Sequence, residues 1–141
     1  MADDKSERLW AIANDQPAFG QLLGVKIIEA TPDCLEAEVL VSEQFSNRNG
    51  VLHGGALMGI ADNIGGTATF LNLKPGQSTT TIESKTNFFR SVAIGETLNA
   101  RCEPLHRGRK SQVWQTTLRR EDGKVAAIAV QTQMILEAGD R

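Results

Sequence analysis

The chain has 141 residues, 40% hydrophobic and 23% charged, with a formal net charge of −2. That length suits a single domain spanning residues 1–141 with a real buried core, and the charge balance gives no pull toward nucleic acid. No apolar run approaches the roughly 20 residues of a membrane span, so no membrane partner is expected.

In chain order, residues 6–13 read as a short amphipathic helix that ends near Asn14, Asp15 and Pro17, giving residues 1–21 the character of a helical lead-in. The opening residues lack the cationic and apolar parts of a secretion signal, so a cytoplasmic location is expected. Residues 25–30 and 34–42 read as two strands joined by a turn at Thr31-Pro32-Asp33. The second alternates, with Leu35, Ala37, Val39 and Val41 on one face and Glu36 and Glu38 on the other.

Residues 54–73 change period. Leu57, Ile60, Ala61, Ile64, Ala68 and Leu71 recur at helical spacing, and Lys74-Pro75-Gly76 stops the run. Gly59, Gly65 and Gly66 weigh against a helix, since each interior glycine costs about 1 kcal/mol relative to alanine. Such glycines let a helix press closely against a sheet or a ligand. Four long strands follow at residues 79–90, 96–106, 111–120 and 125–136, the last two joined by an Asp122-Gly123 hairpin signal. Periodicity therefore predicts an α+β fold, one long helix covering the apolar face of an antiparallel sheet. Cys34 and Cys102 stand apart without metal-ligand spacing and read as small buried residues in a reducing compartment.

The chemistry concentrates between residues 47 and 62. A polar loop carries Asn47, Asn49 and Gly50 and delivers His53, Gly54 and Gly55 to the start of the long helix. Backbone N–H groups at a helix start lack intrahelical partners and carry partial positive charge, which suits an oxyanion. Asp62 then interrupts an apolar run between Ile60, Ala61 and Ile64. A buried, unpaired carboxylate there is costly, which points to a task as base or nucleophile rather than to a solvated surface residue. The plain readings are a turn residue for Asn47, a helix-start residue for His53 and an ordinary strand former for Thr81. Arg107, Arg109 and Lys110 form a basic cluster at a strand end, with Lys85 and Arg90 on the preceding strand. Such a cluster is either a solvated turn or a grip on phosphate, which Arg binds with fork geometry.

The segment from Asn47 to Asp62 closely resembles the hotdog-fold acyl-CoA thioesterases, in their PaaI-like branch. The resemblance implies a hotdog fold, one central helix wrapped by five to six antiparallel strands. It implies hydrolysis of an acyl-CoA thioester, the Gly54 N–H polarising the carbonyl beside Gly55, with His53 ordering the loop or assisting. Asp62, nine residues after His53, becomes the base or nucleophile; Asn47, six before it, lies near the attacking water, and Thr81 helps to hold that water. Lys85, Arg90, Arg107, Arg109 and Lys110 become the candidates for the CoA phosphates. No metal or redox cofactor is implied. The site is expected between two chains, Asp62 facing Gly54 and Asn47 of the partner subunit, in a homodimer paired into a dimer of dimers.

A second stretch, residues 104–109 with Gln112 and Trp114, resembles the enterobactin-associated proofreading thioesterases and their aryl-CoA relatives. Those carry Glu where this chain has Asp62, and they add acyl carrier protein to the partners to be tested. Two other readings stay open: a hydratase or dehydratase of the same fold, and a non-catalytic acyl-CoA binding module. The acyl group is not legible; Phe70, Phe88 and Phe89 are the nearest large side chains for a pocket wall, against an ordinary role in the core.

Overall fold

The computed structural model describes residues 3–140. Helix α1 (Asp4–Asn14) starts behind Asp3 and carries Asp4 and Glu7 in its first turn, where acidic groups meet the positive end of the helix dipole. A second, short helix, α2 (Ala18–Leu23), was not among the predicted elements. Its signals were local all the same: Pro17 precedes it, and Gly24 closes it at φ 76°, a left-handed cap that glycine adopts without strain.

Strands β1 (Lys26–Ala30) and β2 (Leu35–Leu40) form an antiparallel hairpin. The predicted alternation holds, for Leu35, Ala37, Val39 and Val41 are all buried. The long helix α3 (Gly54–Phe70) buries Leu57, Ile60, Ala61, Ile64 and Ala68, the stripe that the sequence spacing selects. It stops three residues before the expected end, with Leu71 as its cap.

Strands β3 (Ser78–Phe88), β4 (Thr97–Arg107), β5 (Ser111–Arg119) and β6 (Val125–Leu136) complete one six-stranded antiparallel sheet in the order β1-β2-β4-β5-β6-β3. The hairpin expectation holds for β1–β2, β4–β5 and β5–β6 but not for β3–β4. After β3 the chain crosses over to pair β4 with β2, while β3 pairs with β6 alone and forms a sheet edge. The inner face sets Leu98, Ala100, Trp114, Leu118, Ala127 and Ala129 against α3 in a single core. Gly65 and Gly66 of α3 face Gln131 and Gln133 of β6, so the helix backbone lies directly against these side chains.

Both cysteines are free thiols, both are buried as expected, and burial pushes the Cys102 thiol up to about 12. Among the described residues no helix is long and apolar enough to cross a membrane.

Candidate active site

The loop before α3 is held at several points. Asn47 Oδ1 accepts from the N–H groups of Asn49 (2.9 Å) and Val51 (3.3 Å), and Gly50 turns the chain at φ 76°. His53 N–H donates to the Phe45 carbonyl at 2.8 Å, and Leu52 N–H to the Val92 carbonyl at 2.9 Å. His53 then caps the helix, its Nδ1 accepting the Gly55 N–H at 2.8 Å. A nitrogen that accepts carries no proton, so Nε2–H is the ring's remaining donor. Gly55 is thus engaged with His53. Among the described residues the Gly54 N–H has no acceptor, as an oxyanion donor requires. Asn47 does take the turn role that its sequence context suggested, yet among the described residues only its oxygen is used, which leaves its NH2 able to donate.

Asp62 departs from expectation. It is exposed in the chain, because Ile60, Ala61 and Ile64 turn toward the sheet while position 62 turns toward a cavity. The cost of burying a lone carboxylate therefore does not mark this residue. Its hydrogen bonding does. Oδ1 accepts from Thr81 Oγ1 at 2.6 Å and faces Gln131 Nε2 at 3.2 Å, whereas Oδ2 accepts nothing among the described residues. One oxygen is anchored and the other is open.

The cavity beside Asp62 measures about 830 Å³, within the range of small-molecule sites. Ile12 and Pro17 of the N-terminal arm, Phe70 and Leu73 from the end of α3, and Thr81 of β3 all line it. The arm is pinned by Gln16, whose Oε1 accepts from Asn63 Nδ2 at 2.7 Å and whose Nε2 donates to Thr67 Oγ1 at 3.2 Å. Of the three phenylalanines considered from sequence, Phe70 alone lines this cavity; Phe88 packs its ring beside Gly54 instead.

Asn47 and His53 line a different, shallower pocket of about 600 Å³. The separation follows from helix geometry. Asp62 lies eight residues beyond Gly54, and at 1.5 Å per residue the two stand about 12 Å apart along α3. One thioester carbonyl cannot contact both groups of the same chain.

The basic residues named from sequence are all exposed, and none lines the Asp62 cavity, whose cations are Arg8 and Lys74. Arg107 instead clamps the β1–β2 turn to the end of α3, donating to Asp33 (2.7 Å), the Pro32 carbonyl (2.9 Å) and Asn72 Oδ1 (3.3 Å). Arg90 donates to the Val125 carbonyl at 2.8 Å. Lys85, Arg109 and Lys110 make no ion pair among the described residues.

Residues 49–127, more than half of the chain, match the family model of the Thioesterase superfamily. The chain belongs to that superfamily. It is similar to the proofreading thioesterase EntH of Cronobacter turicensis, 33% identical over 102 residues that cover 72% of this chain and 74% of that one. Among solved structures it is similar to the PaaI protein of Escherichia coli from the phenylacetic acid degradation operon, with a TM-score of 0.85 at 21% identity over 95% of each chain. It is also similar to a hypothetical thioesterase of Streptococcus pneumoniae solved with coenzyme A, with a TM-score of 0.74 at 21% identity over 81% of this chain and 87% of that one. As a member of the thioesterase superfamily with this sheet and helix, the chain is a thioester hydrolase of the hotdog fold.

Two residues beside Asp62 in this superfamily member escaped the reading of the sequence. Gln131 and Gln133 are buried on the inner face of β6, where strand alternation calls for apolar side chains after Ala127 and Ala129. That break in an otherwise apolar stripe was the available signal. Both lie beyond residues 49–127, the part that the family model matches.

Proposed function

We propose that this enzyme hydrolyses acyl-CoA thioesters at two equivalent sites between the chains of a homodimer, paired into a dimer of dimers. The observation that carries this reading is Asp62, anchored through Oδ1 and open at Oδ2, on the wall of a cavity with apolar side chains. The acyl group lies in that cavity, toward Phe70 and Leu73. The Gly54 N–H, with Asn47 and His53, comes from the partner subunit, which resolves the distance of about 12 Å between Gly54 and Asp62 within one chain. The coenzyme A bound by the Streptococcus pneumoniae neighbour supports CoA as the thiol.

In this mechanism Asp62 Oδ2 takes a proton from water as its oxygen adds to the thioester carbonyl carbon. Charge develops on the carbonyl oxygen and is met by the Gly54 N–H. Collapse re-forms the carbonyl and breaks the C–S bond, and the leaving sulfur takes the proton held by Asp62. Free acid and CoA thiol result. If Oδ2 attacks directly, the C–S bond breaks as an aspartyl anhydride forms, the departing thiolate takes its proton from solvent, and water then hydrolyses the anhydride. Single turnover in 18O-water separates the routes, since only the anhydride route can place label in Asp62.

The hydratase reading needs a histidine acting as base, and His53 Nδ1 is already committed to the Gly55 N–H. Substrate profiling tests the proposal. Aryl-, short- and medium-chain acyl-CoA esters and acyl carrier protein thioesters are compared by kcat/KM, with thiol release as the readout. Release of thiol from saturated CoA esters is expected. Water addition to 2-enoyl esters without thiol release would establish a hydratase, and neither reaction would leave a binding module.

The basic cluster yields a prediction in two parts. Arg109→Ala should raise KM for CoA esters severalfold with little change in kcat, the signature of lost uniform binding. Arg107→Ala should lower the thermal midpoint as well, by roughly 2–4 °C, because it releases the turn held at Pro32, Asp33 and Asn72. Steady-state kinetics and thermal melts check both. An unchanged KM in Arg109→Ala would return that residue to the status of a solvated turn.

A further inference from the structure

Gln131 and Gln133 are each 1% exposed, and an unsatisfied buried carboxamide is costly. Gln131 Nε2 lies 3.2 Å from Asp62 Oδ1, 3.3 Å from the Asp62 main-chain oxygen and 3.1 Å from Gln133 Oε1. Gln131 Oε1, buried as well, has no donor among the described residues. The reversed amide would aim Oε1 at three oxygens, so the orientation is imposed by its surroundings. A buried group thus keeps an orphaned acceptor in order to present its NH2 to a carboxylate, the stronger kind of hydrogen bond.

The helix makes room for this arrangement. A Cβ on Gly65 would stand 2.2 Å from both Cδ and Oε1 of Gln131, an impossible contact. Gly65, one of the glycines that weaken α3 by propensity, is therefore the seat of the Gln131 side chain. Thr81 supplies the other bond to Oδ1. Its single proton has both Asp62 and Gln133 Oε1 in range, and the carboxylate is the better acceptor.

The geometry points to Gln131, seated on Gly65, as the positioning residue that holds Asp62 Oδ1 and so presents Oδ2 to the substrate. This role rests on the reading of Asp62 as the catalytic carboxylate. Gln131 acts from the far side, through Oδ1, and no contact with substrate is assigned to it.

The test uses Gln131→Met, close in size but without a donor, and Gly65→Ala, which displaces the carboxamide from the helix side. Each is measured as the assembled enzyme, per folded protein, well below its own thermal midpoint. Gln131→Met should lower kcat roughly ten- to a hundredfold, the value of a hydrogen bond to a charged group, with KM within about twofold. Gly65→Ala should follow it. In an Asp62→Asn background Gln131→Met should add no further loss, because the two residues act as one unit. An unchanged kcat in folded Gln131→Met, or the same proportional loss in both backgrounds, overturns the positioning role alone. A fully active Asp62→Asn enzyme overturns the reading of the site itself, which keeps the two failures distinct.

Discussion

Asp62→Asn is expected to reduce kcat by about 10²–10⁴-fold while the oligomer and its CoA affinity persist. The change nearly conserves size and retains an oxygen that can accept from Thr81 and Gln131. It removes the charge and basicity that the open position must supply, whichever of the two routes is followed. Asp62→Glu should retain part of the activity. Its extra methylene moves the carboxylate by about 1 Å, and a displacement of that size can cost about 10²-fold. The checks are steady-state kinetics, a native mass for the oligomer and mass spectrometry to exclude deamidation of the new Asn. Full activity in such a preparation would remove Asp62 from the chemistry.

Gly54→Pro should be nearly as damaging, at about 10²–10³-fold in kcat, the usual effect of deleting one oxyanion donor. Position 54 is the first residue of α3, where proline is well accommodated. His53 before it is extended at φ −65° and ψ 133°, a conformation compatible with a following proline. A Cβ at 54 would lie 3.4 Å from the Phe88 ring, an ordinary contact. The substitution replaces the N–H by the ring Cδ at a position compatible with the helix, and circular dichroism and thermal melts verify that α3 is retained.

The same variant tests the shared site. Exchanging Gly54→Pro subunits with Asp62→Ala subunits creates heterodimers in which one of the two sites combines an intact Gly54 with an intact Asp62. Activity should return toward half the wild-type value per heterodimer, with exchange confirmed by mass. Heterodimers as inactive as their parents would place each site within a single chain. The distance of about 12 Å along α3 would then need another explanation.

What the sequence determined is local. The stripe of Leu57, Ile60, Ala61, Ile64 and Ala68 marks α3, alternation marks β2, and the loop from Asn47 to Gly54 carries its own turn and cap, because these features depend on neighbours within one or two turns of chain. The short helix α2 had equally local signals in Pro17 and Gly24, and it was missed only because six residues are too few to show a period.

The sheet order, by contrast, was decided in three dimensions. Nothing near residues 88–97 states that β4 will pair with β2 and leave β3 to β6. Asp62 was expected to be buried from its neighbours in the chain, but exposure depends on which way a helix rolls against its sheet, and position 62 rolled toward the cavity. Arg107 offered a free cation to the reader of the sequence, and folding delivered Asp33, 74 residues away, to its guanidinium. Gln131 reaches Asp62 across 69 residues, and only because Gly65 lets β6 and α3 approach that closely. Periodicity reports which face of an element is apolar. It carries no information about which distant polar group that face will meet, since that is settled by the packing of whole elements against one another.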